Sequence, residues 1–220
     1  MSEILKDFSA PTLVAALEAN LWEALAYWGQ SPQIELHDYA DMMWYVTGVA
    51  HPMLNGAFRT QLAPGDIDVR IEATLNYFKS RKVPMTWWTG PATRPVDLGE
   101  HLEAHGLTHA GDPAGMAVDL LALNEDLPIP SDLTIERVGD VETLKEWLQA
   151  FATGFKFPDF AANAFFDIYA GLGFGQHLPW HHYAGRLKGE PVACSSVFLS
   201  AGVAGIYNVA TVPHARGQGI

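Results

Sequence analysis

The chain has a single cysteine, few basic residues and no long apolar run. The lone Cys194 excludes an intrachain disulfide and fits a reducing compartment, so a cytoplasmic location is expected. No run of about 18 apolar residues exists, so no membrane-spanning helix is expected. The opening segment, Met1-Ser2-Glu3-Ile4-Leu5-Lys6-Asp7, lacks a basic region followed by an apolar one and reads as no secretory signal. Lys and Arg number 13 against 25 Asp and Glu, giving a formal net charge of −12. A surface that negative repels phosphate backbones, which argues against a nucleic-acid partner. No basic amphipathic stretch points to a membrane surface. The same acidity favours cationic small molecules or basic peptides, amines among them.

Two phosphate-binding signatures are also missing. A P-loop needs Gly-Lys-Ser or Gly-Lys-Thr, which does not occur. The dinucleotide fingerprint needs Gly-x-Gly-x-x-Gly in a βαβ unit with a later acidic residue, and Ile220 ends the chain before either can follow Gly217 and Gly219.

What is present is enough for a packed protein. At 220 residues, 49% hydrophobic and 17% charged, the chain can bury one large core or two small ones. Leu13, Leu17, Leu21 and Leu25 recur every fourth place and predict a helix from Pro11 to Trp28, with Ser9 as cap and Gly29 as stop. Strands are expected over Met42 to Val49 and Ala57 to Leu62. Ile67, Ile71, Leu75 and Phe78 then mark a helix face, Pro84 to Thr89 a short strand, and Leu98 with Leu102 a brief helix closed by Gly106. Gly115 to Leu121 reads as another strand. Asn124 to Asp132, with Pro128 and Pro130, reads as a linker between domains at 1–123 and 133–220.

After the linker the elements restart. Leu133 to Val138 is a strand; Val141, Leu144, Leu148 and Phe151 face one way on a helix ended by Gly154; Pro158 opens another carrying Phe160, Ala164, Phe165 and Ile168. Trp180 to Leu187 and Pro191 to Leu199 form a hairpin about Lys188-Gly189-Glu190, and Val203 to Val212 is the next strand. It runs into Pro213-His214-Ala215-Arg216-Gly217-Gln218-Gly219-Ile220. Glycines at alternate positions let backbone N–H groups converge on an anion without interference from a β-carbon.

This turn, with the strand before it, resembles the Gcn5-related N-acetyltransferases (GNAT family). Their acetyl-CoA signature reads Arg or Gln, two residues, Gly, one residue, then Gly or Ala. Arg216 to Ile220 match its first five places. The Val-Pro-x-x-Arg-Gly run from Val212 to Gly217 also fits family usage at the end of the fourth strand. The resemblance implies an α/β (α+β) fold, a mixed and mostly antiparallel sheet flanked by helices, in two GNAT-like units of which the second is incomplete. Residues 41–121 resemble a degenerate GNAT-like half, because Ala63-Pro64-Gly65-Asp66-Ile67-Asp68 stands where a phosphate loop would precede the helix. Proline has no N–H to donate, and two carboxylates at a helix start repel a pyrophosphate.

The implied activity is acetyl transfer from acetyl-CoA, as co-substrate and without a metal, to an amine of a small molecule or peptide. The amine attacks the thioester directly, and fixing both reactants together lowers the barrier by up to roughly 7–11 kcal/mol in ideal cases. Ala210, Thr211 and Val212 are the residues implied to pair with the pantetheine arm. Arg216, Gly217, Gln218, Gly219 and Ile220 are implied to wrap the pyrophosphate. No catalytic residue is assigned, since Tyr207, Asn208 and Thr211 are the polar groups between Ala201 and Val212 and no Glu or Asp lies there. With the sixth signature place beyond Ile220, the chain is expected to be inactive as this fragment, with an exposed strand edge able to self-associate. A non-catalytic acyl-CoA sensor or interaction module is the alternative.

Remaining candidates read as structural. His177, His181 and His182 lack a neighbouring Cys or acidic ligand, so solvated positions are expected rather than a zinc site. Cys194 and the Trp87-Trp88 pair read as core, and His214 as solvent-exposed.

Overall fold

The computed structural model describes residues 4–124 and 126–220. They form two compact units, one of residues 9–116 and one joining the residues up to Phe8 with those from Ala117 onward.

In the 9–116 unit, α1 (Ala10–Tyr27) starts with Pro11 in its first turn. Ser9 stands at the cap position, but its hydroxyl meets Thr12 Oγ1 at 2.9 Å instead of a backbone N–H. The α-helix ends at Tyr27 with Trp28 as its cap, just ahead of Gly29 as expected, and a 3-10 turn continues over Trp28–Gln30. Four strands follow: β1 (Glu35–Asp38), β2 (Met43–Val46), β3 (Asn55–Phe58) and β4 (Thr86–Trp87). The first three pair antiparallel in order and β4 joins β3 in parallel. Expected strands shorten where the backbone turns left-handed, at Gly48 after β2 and at Arg59 after β3. β1 was not foreseen, because Glu35-Leu36-His37-Asp38 carries one aliphatic residue in four.

Helices α2 (Ile67–Ser80) and α3 (Leu98–Ala104) complete this unit. Met42, Trp44, Val46, Ile71, Phe78, Trp87, Leu98 and Leu102 are buried in one cluster. Trp87 is core as expected, its indole N–H donating to Thr60 Oγ1 at 3.0 Å. The strand expected at Gly115 to Leu121 does not form. That segment is irregular and ends in a 3-10 turn over Leu120–Ala122, where the Asp119 carboxylate accepts from the Leu121 N–H. Its apolar residues have no ladder partner and stay exposed.

The other unit holds β5 (Leu133–Arg137), α4 (Val141–Phe155), α5 (Asp159–Leu172), β6 (Trp180–Leu187), β7 (Glu190–Ser200) and β8 (Val203–Thr211). The sheet runs β5-β6-β7-β8, antiparallel throughout. Lys188 and Gly189 both have positive φ, as a two-residue β6–β7 turn with right-handed strand twist requires. Asp140 and Thr143 form a reciprocal capping box at the start of α4. That helix passes through Gly154 to Phe155 and ends on Lys156 in the left-handed region. Trp147, Phe151, Phe165, Tyr169, Trp180 and Phe198 fill the core. Among the described residues, no helix is long and apolar enough to cross a membrane.

Candidate functional site

The sequence motifs converge on β8, an edge strand that pairs with β7 alone among the described residues. Its ladder is interrupted once. Cys194 faces Ala210 and Ser196 faces Tyr207, so Asn208 and Val209 together oppose Ser195. This is a β-bulge, which bends a strand and re-aims its backbone. Asn208 has φ of 56°, a left-handed conformation that Asn tolerates better than most residues.

The bulge is tied from several sides. Asn208 Nδ2 donates to the Tyr169 hydroxyl oxygen at 2.9 Å and to Ser196 Oγ at 3.2 Å. Ser196 is fully buried, and its Oγ lies 2.7 Å from His182 Nδ1. The main chain is held too: the Cys194 thiol lies 3.2 Å from the Asn208 carbonyl, and Trp147 Nε1 donates to the Ser195 carbonyl at 2.9 Å. His182 is therefore a core residue and not the solvated histidine expected from sequence. Burial pushes its pKa down to about 3, so the ring is neutral at pH 7.

Beyond the bulge, Ala210, Thr211, Val212 and the five signature residues lie at one end of the strand. The Val212 N–H donates to the Val192 carbonyl at 2.9 Å. Ladder alternation then turns Thr211 toward the free edge of the sheet. Pro213–Ala215 forms a 3-10 turn that buries Ala215. Gly217 and Gly219 have φ of 74° and 78°, and the space a β-carbon would take at Gly217 is open. Arg216 folds back, its Nε donating to the Thr211 carbonyl at 2.9 Å and its Nη2 to the Gly154 carbonyl at 3.1 Å. The guanidinium thus sits at the negative end of α4. Gln218 Nε2 donates to the His214 carbonyl at 3.1 Å. His214 is exposed, as expected, with Nε2 3.4 Å from Glu190.

These residues fit a diphosphate with an extended arm in two respects: left-handed glycines exposed to solvent, and a strand edge with no ladder partner among the described residues. In a third respect they must adjust, because Arg216 occupies the Thr211 carbonyl that such an arm would use. Outward apolar residues Ile206 and Val209 are exposed along the same strand.

The other histidines do not gather. His181 Nδ1 accepts from Arg137 Nε at 3.2 Å, and burial with the neighbouring guanidinium lowers its pKa. His177 is exposed. No group of three or more His, Cys, Asp or Glu that could hold a metal occurs among the described residues. Tyr207 packs its ring 5.5 Å from Trp180, and burial raises its phenol to about 12.

No protein-family model matches the chain, and no curated protein matches it. Solved structures do. A GCN5-related N-acetyltransferase from Kribbella flavida superposes with a TM-score of 0.66 at 17% identity, covering 91% of this chain and 75% of that one. The fold is a GNAT fold. A functionally unknown conserved protein from Staphylococcus epidermidis ATCC 12228 shares it, with a TM-score of 0.52 at 12% identity over 84% of this chain and 73% of its own. In GNAT terms, β5, α4, α5, β6, β7 and β8 supply the strand, helix, helix and three strands that precede the glycine-rich turn.

The 9–116 unit offers no comparable turn. At the start of α2, Asp68 accepts from His101 Nδ1 at 3.2 Å and His105 Nε2 at 3.1 Å, and bonds to His105 and His101 hold its carboxyl below the usual range. A carboxylate therefore stands in the first turn of α2, where it opposes an anion. Sequence reasoning found the polar trio Tyr207, Asn208 and Thr211 but missed what Asn208 binds. The available signal was Ser196, a hydroxyl placed on the inward phase of an apolar strand.

Proposed function

We propose that the protein is an acetyl-CoA-dependent N-acetyltransferase acting on an amine of a small molecule or peptide. The observation that carries this reading is the bulged edge strand β8 ending in the Arg216-Gly217-Gln218-Gly219 turn, on a GNAT fold. The co-substrate supplies an acetyl group already activated as a thioester. The chain's part is to hold it and to orient it toward the amine.

In this reading, peptide N–H groups of Arg216 to Ile220 face the diphosphate, where the φ > 0 glycines leave the backbone unobstructed. Arg216 releases the Thr211 carbonyl and adds a charge-assisted bond to the diphosphate. Thr211, turned to the free edge, pairs with the amide-bearing arm as a neighbouring strand would; Ala210 and Val212 flank it, with the Val212 N–H committed to β7. The re-aimed backbone at Asn208 and Val209 presents a donor to the acetyl carbonyl, stabilising charge that develops on its oxygen. As the C–N bond forms the thioester C–S bond breaks, and the proton the amine loses passes through water to the departing CoA thiolate, since β8 offers no carboxylate. The 9–116 unit is a GNAT-like half that does not bind the coenzyme, consistent with Asp68 at the entrance of α2.

Titration calorimetry with acetyl-CoA tests the reading. Saturable heat supports it; no heat overturns it. Absence of a carboxylate between Ala201 and Val212 favours one second reading, a non-catalytic acyl-CoA sensor. That protein would bind acetyl-CoA yet acetylate no member of an amine panel.

A further inference from the structure

We infer that Asn208 is a positioning residue, whose side chain, clasped by Tyr169 and Ser196, fixes the direction of the β8 bulge for acetyl transfer. The inference rests on the reading above and assigns it a side chain that itself points inward, away from the acetyl group, and lies outside the coenzyme signature.

The argument begins with backbone energetics. A non-glycine residue held at positive φ costs free energy, and such outliers persist where surrounding structure over-determines them. Glycine would occupy φ of 56° with no steric cost, so the presence of Asn requires another reason. Its amide supplies one. Both Nδ2 protons are used, one on Tyr169 and one on Ser196, and both acceptors are buried. Ser196 is itself oriented by His182, 2.7 Å away. His182 is wedged among Tyr169, Trp180 and Trp147, with ring centroids 4.2, 5.7 and 5.2 Å distant. Rotating the Asn208 amide would therefore break a buried network, which is costly because each orphaned group loses its partner away from water.

The rigidity has a direction. Asn208 is anchored inward through its side chain and its carbonyl, while among the described residues its strand pairs with β7 alone. Trp147 meets the Ser195 carbonyl, so the β7 backbone opposite the bulge is held as well. With the Asn208 carbonyl held inward, the Val209 N–H of the same trans peptide points the other way and is pre-aimed before any ligand arrives, and preorganised dipoles are those that stabilise a transition state without reorganisation. A displacement near 1 Å at such a group costs roughly 100-fold in rate.

The test compares wild type with Asn208→Gly, which keeps the left-handed backbone available and deletes both side-chain bonds, and with Ser196→Ala, which deletes one acceptor. The probes are CoA, for affinity by calorimetry, and acetyl-CoA labelled with ¹³C at the acetyl carbonyl, for its infrared band. Amine acetylation is measured in parallel. For Asn208→Gly, CoA affinity is expected to stay within about twofold. Its carbonyl band should shift toward that of free acetyl-CoA, and kcat should fall roughly 10- to 100-fold with KM nearly unchanged. Ser196→Ala should give an intermediate band. A band identical to wild type in Asn208→Gly overturns the inference while leaving the proposed function standing. Equal losses of CoA affinity and of band shift also overturn it, because a general structural role would produce both. A wild-type protein that binds neither probe overturns the proposed function and this inference together.

Discussion

Gly154 of α4 lies against Ala210 of β8 so closely that a β-carbon on the glycine would stand 2.6 Å from the alanine methyl. Intrinsic helix propensity favours Ala over Gly at such a position by about 1 kcal/mol, whereas overpacking opposes it by about 1–3 kcal/mol. The steric term wins here, because both neighbours are backbone-borne and cannot swing aside. Gly154→Ala is expected to lower the urea midpoint, and adding Ala210→Gly should restore most of the loss. A higher midpoint for the single variant would show that α4 slides freely over the strand.

Arg216 joins the strand end to α4 through two backbone carbonyls, and in the proposed complex it exchanges them for a diphosphate. Charge-assisted hydrogen bonds contribute about 1.5–3 kcal/mol. Arg216→Ala should therefore weaken acetyl-CoA binding by roughly 10- to 100-fold, with the loss shrinking as salt is raised. Calorimetry at two ionic strengths reads both effects; a salt-independent affinity equal to wild type would remove Arg216 from the site.

His182 couples stability to pH. Its folded pKa, about 3, lies below the ordinary histidine value of 6.5, so the unfolded chain binds a proton that the folded chain refuses. The stabilisation is complete above pH 6.5 and is lost as pH falls from there toward 3. One such group gives a slope of about 1.4 kcal/mol per pH unit within that window. His51 and His181, also lowered by burial, add to it. Replacing His182 with Phe should reduce absolute stability, by stranding the Ser196 hydroxyl, while removing about one proton's worth of slope between pH 5 and 6.5. Denaturant titrations across that range decide it; an unchanged slope would place His182 in contact with water.

Asn55 anchors a loop in the 9–116 unit. Fully buried, its Nδ2 lies within 3.1 Å of the Val49, His51 and Pro84 carbonyls, and its Oδ1 accepts from the Thr47 N–H at 3.1 Å. Asn55→Ala removes the partner of several backbone groups at once, each costing about 1–3 kcal/mol when buried and unmade. A loss of at least about 3 kcal/mol is expected in chemical denaturation, against less than 1 kcal/mol for the exposed control Val69→Ala.

The sequence displayed the long elements well, because α4, α5 and the strands β6 to β8 carry one-sided apolar periodicity over eight residues or more. It failed where burial was decided by distant partners. β1 is a polar strand recruited by β2, and Gly115 to Leu121 has strand composition with no neighbour to pair with. Gly154 reads as a helix stop, yet it is a packing glycine and the helix ends on Lys156. The coenzyme signature was visible as a string of residues, whereas the polar network behind it was not. Tyr169, His182, Ser196 and Asn208 come from three strands and a helix, up to 39 positions apart, and no local pattern joins them.

Cys194 has a practical consequence. Its thiol is enclosed, and burial raises its pKa to about 12, so alkylating reagents find neither thiolate nor access at neutral pH. A second cysteine engineered on the surface could then carry a fluorophore or spin label without first removing the native one. The native sulfur would in turn report opening of the β7–β8 ladder, since maleimide would capture it at the rate at which that region comes apart.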